Sequence, residues 1–227
     1  MEIVCGDFHA YFKKVNKFLN KNPDVNLILQ CGDFGYWPKF HNVPYTTSYG
    51  SYEAFDQYAL KNKETKIYFC DGNHEDHESL KSLENNEIMK NVFYMKRDSV
   101  LTLPDERKIL FIGGAYSIDK EQRTPGKDWF PEEMITQQDI NNLPDIQIDI
   151  VISHTGPTEF KVIDYHEDYY KDPSRDALSY VLQKYHPKLW YFGHMHLFKQ
   201  GFTSDCKWTC LSSIESSYQW WIKLENK

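Results

Sequence analysis

Six short apolar runs punctuate the chain: EIVC at 2–5, NLILQC at 26–31, KIYFC at 66–70, KILFI at 108–112, IDIVIS at 148–153 and KLWYF at 188–192. Each is short, rich in β-branched or aromatic residues, and followed by a turn, which predicts buried strands rather than helices. Between them lie polar stretches with helical spacing, at 10–21, 51–62, 76–86, 132–142 and 175–186. Strand, turn, helix, strand is the pattern of an α/β layered domain. After residue 197 the pattern changes. FKQGFTS, CKWTCLSS and YQWWIKLE read as consecutive strands joined by short polar turns, an antiparallel finish. No linker or low-complexity tract interrupts the chain, so one domain over 1–227 is expected. Three longer irregular segments, 35–50, 113–131 and 155–175, each come after a strand end, where α/β proteins carry binding loops.

Composition narrows this picture only in places. At 227 residues, with 41% apolar and 26% charged residues, the chain can bury a full core. The aromatic share of 16% fits either an aromatic core or aromatic-lined loops. The segment YWPKFHNVPYTTSYGSY at 36–52 can wall a flat group such as a base, or pack on the helices. A net charge of −7 argues against an extended nucleic-acid surface. It leaves a nucleotide substrate open, because a metal site brings its own positive charge. No apolar run approaches the roughly 20 residues of a membrane span, and the N-terminus enters a strand without a basic leader region. Five cysteines, odd in number and without paired spacing, predict reduced thiols and a cytoplasmic setting.

The chemistry collects at strand ends. Asp7 and His9 follow the first run and Asp33 the second; Asn73 and His74 follow the third, His154 the fifth, and His194 and His196 the sixth. A parallel sheet delivers its C-terminal strand ends to one edge, so these groups can converge. Taken singly, each has a bland reading: an Asp–His turn, an Asn73 N-cap with Glu75 complementing a helix dipole, a satisfied structural histidine at 154. GHMH is more specific, because alternation in an extended segment puts both histidines on one side. Two Asp, one Asn and four of these five His, without Cys, suit Mn, Fe, Zn or Ni rather than a closed structural zinc site. Seven ligands are enough for two ions if one carboxylate bridges, and such a pair suits phosphoryl transfer.

The ordered set GDFH, GDF, GNHE, SHTGP and GHMH, spanning residues 6 to 196, resembles the calcineurin-like metallophosphoesterases. The resemblance implies a four-layer α/β fold, a central double β-sandwich flanked by helices, with a two-metal site at the sheet edge, Mn being the foremost metal. It implies Asp7, His9 and His196 on one ion, Asn73, His154 and His194 on the other, and Asp33 bridging. A metal-bridging hydroxide would be the nucleophile, and His74, a non-ligand, would donate a proton to the leaving oxygen.

The pattern departs from relatives at the second motif. Many members read Gly-Asp-x-x-Asp there, with an Arg following in the Ser/Thr phosphatase branch; here Gly32-Asp33-Phe34-Gly35 is followed by Tyr36 and Trp37. The acid that orients the proton-donating histidine in that branch is missing, which leaves Glu75, Asp76 or a backbone carbonyl for His74. The phosphate-binding Arg is missing too. Arg123, in a Gly/Pro-bounded loop, is the candidate for phosphate, ahead of Lys127 and Arg175. The expected activity is metal-dependent hydrolysis of a phosphate ester on a small phosphorylated substrate. A nucleotide or cyclic-nucleotide phosphodiesterase is the alternative, ahead of a protein Ser/Thr phosphatase or a catalytically silent metal-binding module.

Overall fold

The computed structural model describes residues 1–38, 45–47, 50–52, 60–61, 64–163 and 172–226. Two six-stranded mixed sheets form its centre. The first contains β1 (Glu2–Cys5), β2 (Leu27–Gln30), β5 (Lys66–Phe69), β6 (Glu87–Met89), β7 (Val92–Tyr94) and β14 (Trp221–Lys223), in the order β14-β1-β2-β5-β7-β6. The second contains β8 (Val100–Thr102), β9 (Lys108–Ile112), β10 (Ile150–Ser153), β11 (Leu189–Phe192), β12 (Lys199–Thr203) and β13 (Cys206–Cys210), in the order β12-β13-β11-β10-β9-β8. Each sheet has four parallel strands in the middle and an antiparallel strand at each edge. A separate hairpin joins β3 (Tyr45–Thr47) and β4 (Gly50–Tyr52).

Residue alternation along the central strands explains the layering. Val4, Leu29, Ile109, Phe111, Ile150, Ile152 and Tyr191 meet in a core between the sheets. The neighbouring Ile3, Ile28, Ile67 and Phe69 face outward onto α1 (Phe12–Lys21) and α2 (His77–Lys81). Leu110, Ile112, Val151 and Trp190 face the other way, onto α4 (Pro173–Tyr185), beside α3 (Gln137–Asn141). This is the expected helix–sheet–sheet–helix arrangement.

α4 shows how the sequence writes these helices. The Asp172 side chain accepts the Ser174 N–H, Pro173 opens the first turn, and Leu178, Val181, Leu182 and Tyr185 fall on one buried stripe. His186, left-handed at φ 45°, ends it.

Three expectations need correction. The polar stretches at 76–86 and 132–142 form only five-residue helices. In the first, β6 begins at Glu87; in the second, Pro131–Glu133 is a 3₁₀ turn before Thr136 caps α3. The C-terminal strands are not one antiparallel unit: β12 and β13 form a hairpin, but β13 runs parallel to β11 and β14 joins the other sheet beside β1. The helix expected at 51–62 lies largely outside the described residues, and Gly50–Tyr52 belongs to the hairpin. All five cysteines are buried and unpaired, and no helix among the described residues is long and apolar enough to cross a membrane.

Candidate metal centre

The two copies of Cys-Gly-Asp-Phe leave adjacent parallel strands and bond to each other. The N–H groups of Phe8 and His9 both donate to the Asp33 carbonyl, and Ala10 donates to the carbonyl of Phe34. Phe8 and Phe34 turn back into the core with ring centroids 5.9 Å apart. This ties Asp7 and Asp33 into one rigid corner, and both carboxylates are buried.

Each carboxylate is aimed by a backbone donor from a different motif. Asp33 Oδ1 accepts the His74 N–H at 2.8 Å, and Asp7 Oδ1 accepts the His194 N–H at 3.1 Å. Glycine precedes both contacts for a steric reason: a Cβ on Gly72 would overlap Asp33 Oδ1, and one on Gly193 would overlap Asp7 Oδ1.

The ligand-type atoms sort into two groups on either side of Asp33. Asp7, His9, Asp33 and His196 each offer an atom within 4.8 Å of the others. His196 Nε2 is 3.0 Å from Asp7 Oδ2 and 3.0 Å from His9 Nε2, while His9 Nε2 is 3.7 Å from Asp33 Oδ2. On the other side, His154 Nε2 is 3.3 Å from Asp33 Oδ1 and 3.0 Å from Asn73 Oδ1. The His194 ring stacks edge-on to His154, centroids 4.9 Å apart.

Backbone strain marks the same residues. His9, Asp33, His194 and His196 all have positive φ, between 45° and 64°. Non-glycine residues in this region cost about 1 kcal/mol or more each and persist where the surroundings impose them. GHMH is therefore a left-handed turn rather than the extended segment expected, and it sends His194 and His196 to different groups instead of one side.

The charges and hydrogen bonds of these groups favour a cation among them. Burial opposes ionisation of Asp7, but hydrogen bonds from His196 and His9 and the charge of His154 hold its carboxyl well below the usual range. Burial likewise opposes the charge on Asp33, and His154 and His74 outweigh it. His194 is pushed down to about 3 by burial and by His154 beside it. Its Nε2 is buried with no hydrogen-bond partner, an arrangement that costs free energy unless a cation takes the lone pair. His154 Nδ1 faces the Cys31 carbonyl at 2.8 Å. A carbonyl only accepts, so Nδ1 carries a hydrogen and Nε2 is the atom turned toward Asp33 and Asn73, the carbonyl-oriented arrangement that metal-binding imidazoles use. An orphaned imidazole nitrogen, fixed tautomers and paired carboxylates without thiolate fit hard or borderline divalent ions.

His74 and Arg123 stand at the rim. The His74 ring lies edge-on to His9, centroids 5.1 Å apart. Arg123 Nη2 is 2.9 Å from His74 Nε2, its Nη1 donates to the Asn73 carbonyl at 3.3 Å, and Asp119 holds it through Nε at 2.9 Å. A guanidinium only donates, so His74 Nε2 presents its lone pair; burial, then Arg123 and nearby imidazoles against the pull of Asp33, keep this histidine neutral.

The residues expected to orient His74 do other work. Glu75 accepts N–H groups of Phe34, Gly35 and Tyr36, fixing the loop that carries Asp33. Asp76, not Asn73, is the N-cap of α2, accepting from Ser79. Arg175 binds the carbonyls of Gly156, Pro157 and Phe160. Tyr36 and Trp37 are buried, and most of the rest of the aromatic segment lies outside the described residues.

Sequence reasoning missed Ser117, Glu133 and the buried pair Asp71–Arg97. They are single residues in loops and turns, Glu133 closing the 3₁₀ turn Pro131–Glu133, and only the Asp71 beside Gly72-Asn73 carried any signal.

No curated protein matches this chain by sequence. Its fold is similar to the crystal structure of TT1561 of Thermus thermophilus, with a TM-score of 0.57 at 13% identity, over 94% of this chain and 89% of that one. It is also similar to GAP50, titled the anchor in the inner membrane complex of Plasmodium, with a TM-score of 0.53 at 13% identity, over 100% and 75% of the two chains. At such identity the likeness extends to the fold alone. The sequence model of the calcineurin-like phosphoesterases matches residues 3–198, and with that match the chain belongs to the calcineurin-like phosphoesterase family, hydrolases that bind divalent metal.

Proposed function

We propose that residues 1–227 form one phosphoesterase domain that uses two divalent ions, manganese foremost, to hydrolyse a small phosphorylated substrate. Asp7, His9 and His196 would hold one ion, Asn73, His154 and His194 the other, and Asp33 would serve both. The observation that carries this reading is the opposed placement of the two Asp33 oxygens, Oδ1 toward His154 and Oδ2 toward His9. The orphaned Nε2 of His194 supports it independently. When bound, the ions would supply Lewis-acid activation of water and neutralise charge on the phosphoryl oxygens.

The remaining roles fall to the chain's own atoms. Arg123, clamped on Asp119, points its guanidinium at the rim and would bind a phosphoryl oxygen there. Drawing Arg123 off His74 would free Nε2 to take up a proton from solvent and pass it to the leaving oxygen. The absence of the second-motif acid and Arg speaks against protein Ser/Thr phosphatase activity. The test is turnover of a chromogenic aryl phosphate monoester and the matching diester with added Mn²⁺. Metal-dependent hydrolysis is expected and the preferred ester assigns the class; no turnover of either by metal-loaded protein would sink the proposal.

A further inference from the structure

Asn73 can serve an ion only through its amide oxygen, and the amide group is free to rotate by half a turn about its last bond. Something has to choose between the two orientations. Asn73 Nδ2 donates to Ser117 Oγ at 3.0 Å, and Ser117 Oγ lies 2.7 Å from Glu133 Oε2. The other Glu133 oxygen, Oε1, receives the Ser117 N–H at 2.8 Å and the Trp129 Nε1–H at 3.0 Å. Both Ser117 and Glu133 are buried, at 1% exposure, so water does not compete for these bonds.

The direction of each hydrogen is set by these contacts. Main-chain N–H and indole N–H only donate, so Oε1 is an acceptor. Burial pushes the Glu133 carboxyl up to about 7; above that pH its ionised Oε2 takes the Ser117 hydroxyl hydrogen, which leaves Oγ with only lone pairs toward Asn73. The amide must then offer its NH₂ group to Ser117, and its oxygen faces His154 Nε2, 3.0 Å away. We propose that Ser117 and Glu133 are positioning residues that set the amide of Asn73 with its oxygen toward the ion site. Among the described residues, neither Ser117 nor Glu133 hydrogen-bonds Asp33 or a histidine of the candidate centre. The inference rests on the two-ion reading above, with Asn73 as a ligand.

Glu133 is delivered by Arg97, which donates to the carbonyls of Glu132, Glu133 and Met134 and to the buried carboxylate of Asp71, two residues before Asn73. One arginine thus holds both the strand end that carries Asn73 and the segment that orients its side chain.

The chain of polarity can be reversed without changing shape. In Glu133→Gln, the amide oxygen keeps the two N–H donors and the NH₂ group faces Ser117 Oγ. The Ser117 hydroxyl must then donate toward Asn73, which turns the amide and removes its oxygen from the ion site. Adding Asn73→Asp restores an oxygen on both sides, one accepting from Ser117 and one facing the ion.

The experiment is Mn²⁺ titration calorimetry at pH 8 on metal-free wild type, Ser117→Ala, Glu133→Gln, Asn73→Asp and Glu133→Gln/Asn73→Asp. Electron paramagnetic resonance at saturating Mn²⁺ and thermal melting accompany it. Wild type should bind two ions. Glu133→Gln should weaken one of the two steps by about 10–100-fold, Ser117→Ala by less, and an isolated-ion spectrum should replace the coupled one. Asn73→Asp should gain more affinity over Glu133→Gln than it gains over wild type, which a merely structural role for Glu133 would not produce. Wild-type affinity at both steps in folded Glu133→Gln, or in Ser117→Ala should the former fail to fold, would overturn the inference. So would a gain from Asn73→Asp over Glu133→Gln no larger than its gain over wild type. Fewer than two ions on wild type would instead overturn the two-ion reading, and this pairing with it.

Discussion

Replacing Arg97 by Met should be among the most damaging single changes outside the metal centre. Its guanidinium donates to Asp71 Oδ2 through Nη2 at 2.6 Å and through Nε at 3.0 Å. It also donates to Asp139 at 3.1 Å and to three main-chain carbonyls between 2.6 and 3.1 Å. Asp71 is fully buried. Burial alone would push its carboxyl up, but Arg97, and His77 after it, hold it below the usual range. Removing one partner of such a pair leaves a charge without compensation and costs about 3–5 kcal/mol. That is at least a fifth of the about 5–15 kcal/mol typical of a whole domain. The assay is urea unfolding at pH 7 of wild type, Arg97→Met, Asp71→Asn and the double variant. Because most of the single-variant loss is the stranded carboxylate, Asp71→Asn in the Arg97→Met background should regain at least half of it. A loss below about 1 kcal/mol for Arg97→Met, or strict additivity of the two changes, would refute the reasoning.

Two further outcomes concern the titrating groups. Burial opposes charge on His154, but the Asp33 carboxylate beside it, with Asp7 behind, raises its pKa to about 10. Metal-free protein therefore carries a proton there at pH 8, and ligation at Nε2 must displace it. Mn²⁺ binding should release about one proton from this site and strengthen as pH rises toward 10, read from calorimetry in two buffers of different ionisation enthalpy; identical heats in both would count against it. His77 is shifted the opposite way, from 6.5 to about 4, chiefly by burial, with its Nε2 at 3.0 Å from the Gly72 carbonyl. The unfolded chain then takes up the proton first. Stability should fall as pH drops from 6.5 to 4, by on the order of 3 kcal/mol at most from this group. His77→Gln, which keeps the donor and cannot titrate, should flatten that part of the urea-stability profile, and an unchanged slope would exclude His77 as the cause.

The central strands and the candidate ligands were legible because both are locally encoded. A run such as KILFI has one physical solution, burial on both faces, and a parallel sheet then gathers the residues just past each run at one edge. Asp7, Asp33, Asn73, His154, His194 and His196 all stand within four residues of a strand end. The rest depended on tertiary contact. β6, β7 and β8 are three-residue strands, most of whose residues are only partly buried or exposed, so they lack the apolar signature of the centre. GHMH has the period of a strand, but the contact of the His194 N–H with Asp7 bends it into a turn. Glu133 lies in a polar stretch with helical spacing, and contacts distant in sequence, from Arg97 and the Ala115 N–H to its carbonyl, bring it to Ser117. Glu75 reads equally well as a helix-dipole partner until the three N–H groups of residues 34–36 are seen to converge on it.

The most direct test separates the proposed ligands from the proposed proton donor. Wild type, His74→Asn and Asp33→Asn are purified, loaded with Mn²⁺, and compared for bound manganese by elemental analysis and for kcat on the preferred aryl phosphate. His74→Asn should retain the wild-type metal content and lose about a hundredfold or more in rate, whereas Asp33→Asn should lose both metal and rate. Equal metal loss in the two variants, or wild-type turnover by His74→Asn, would contradict the division of roles on which the proposed function rests.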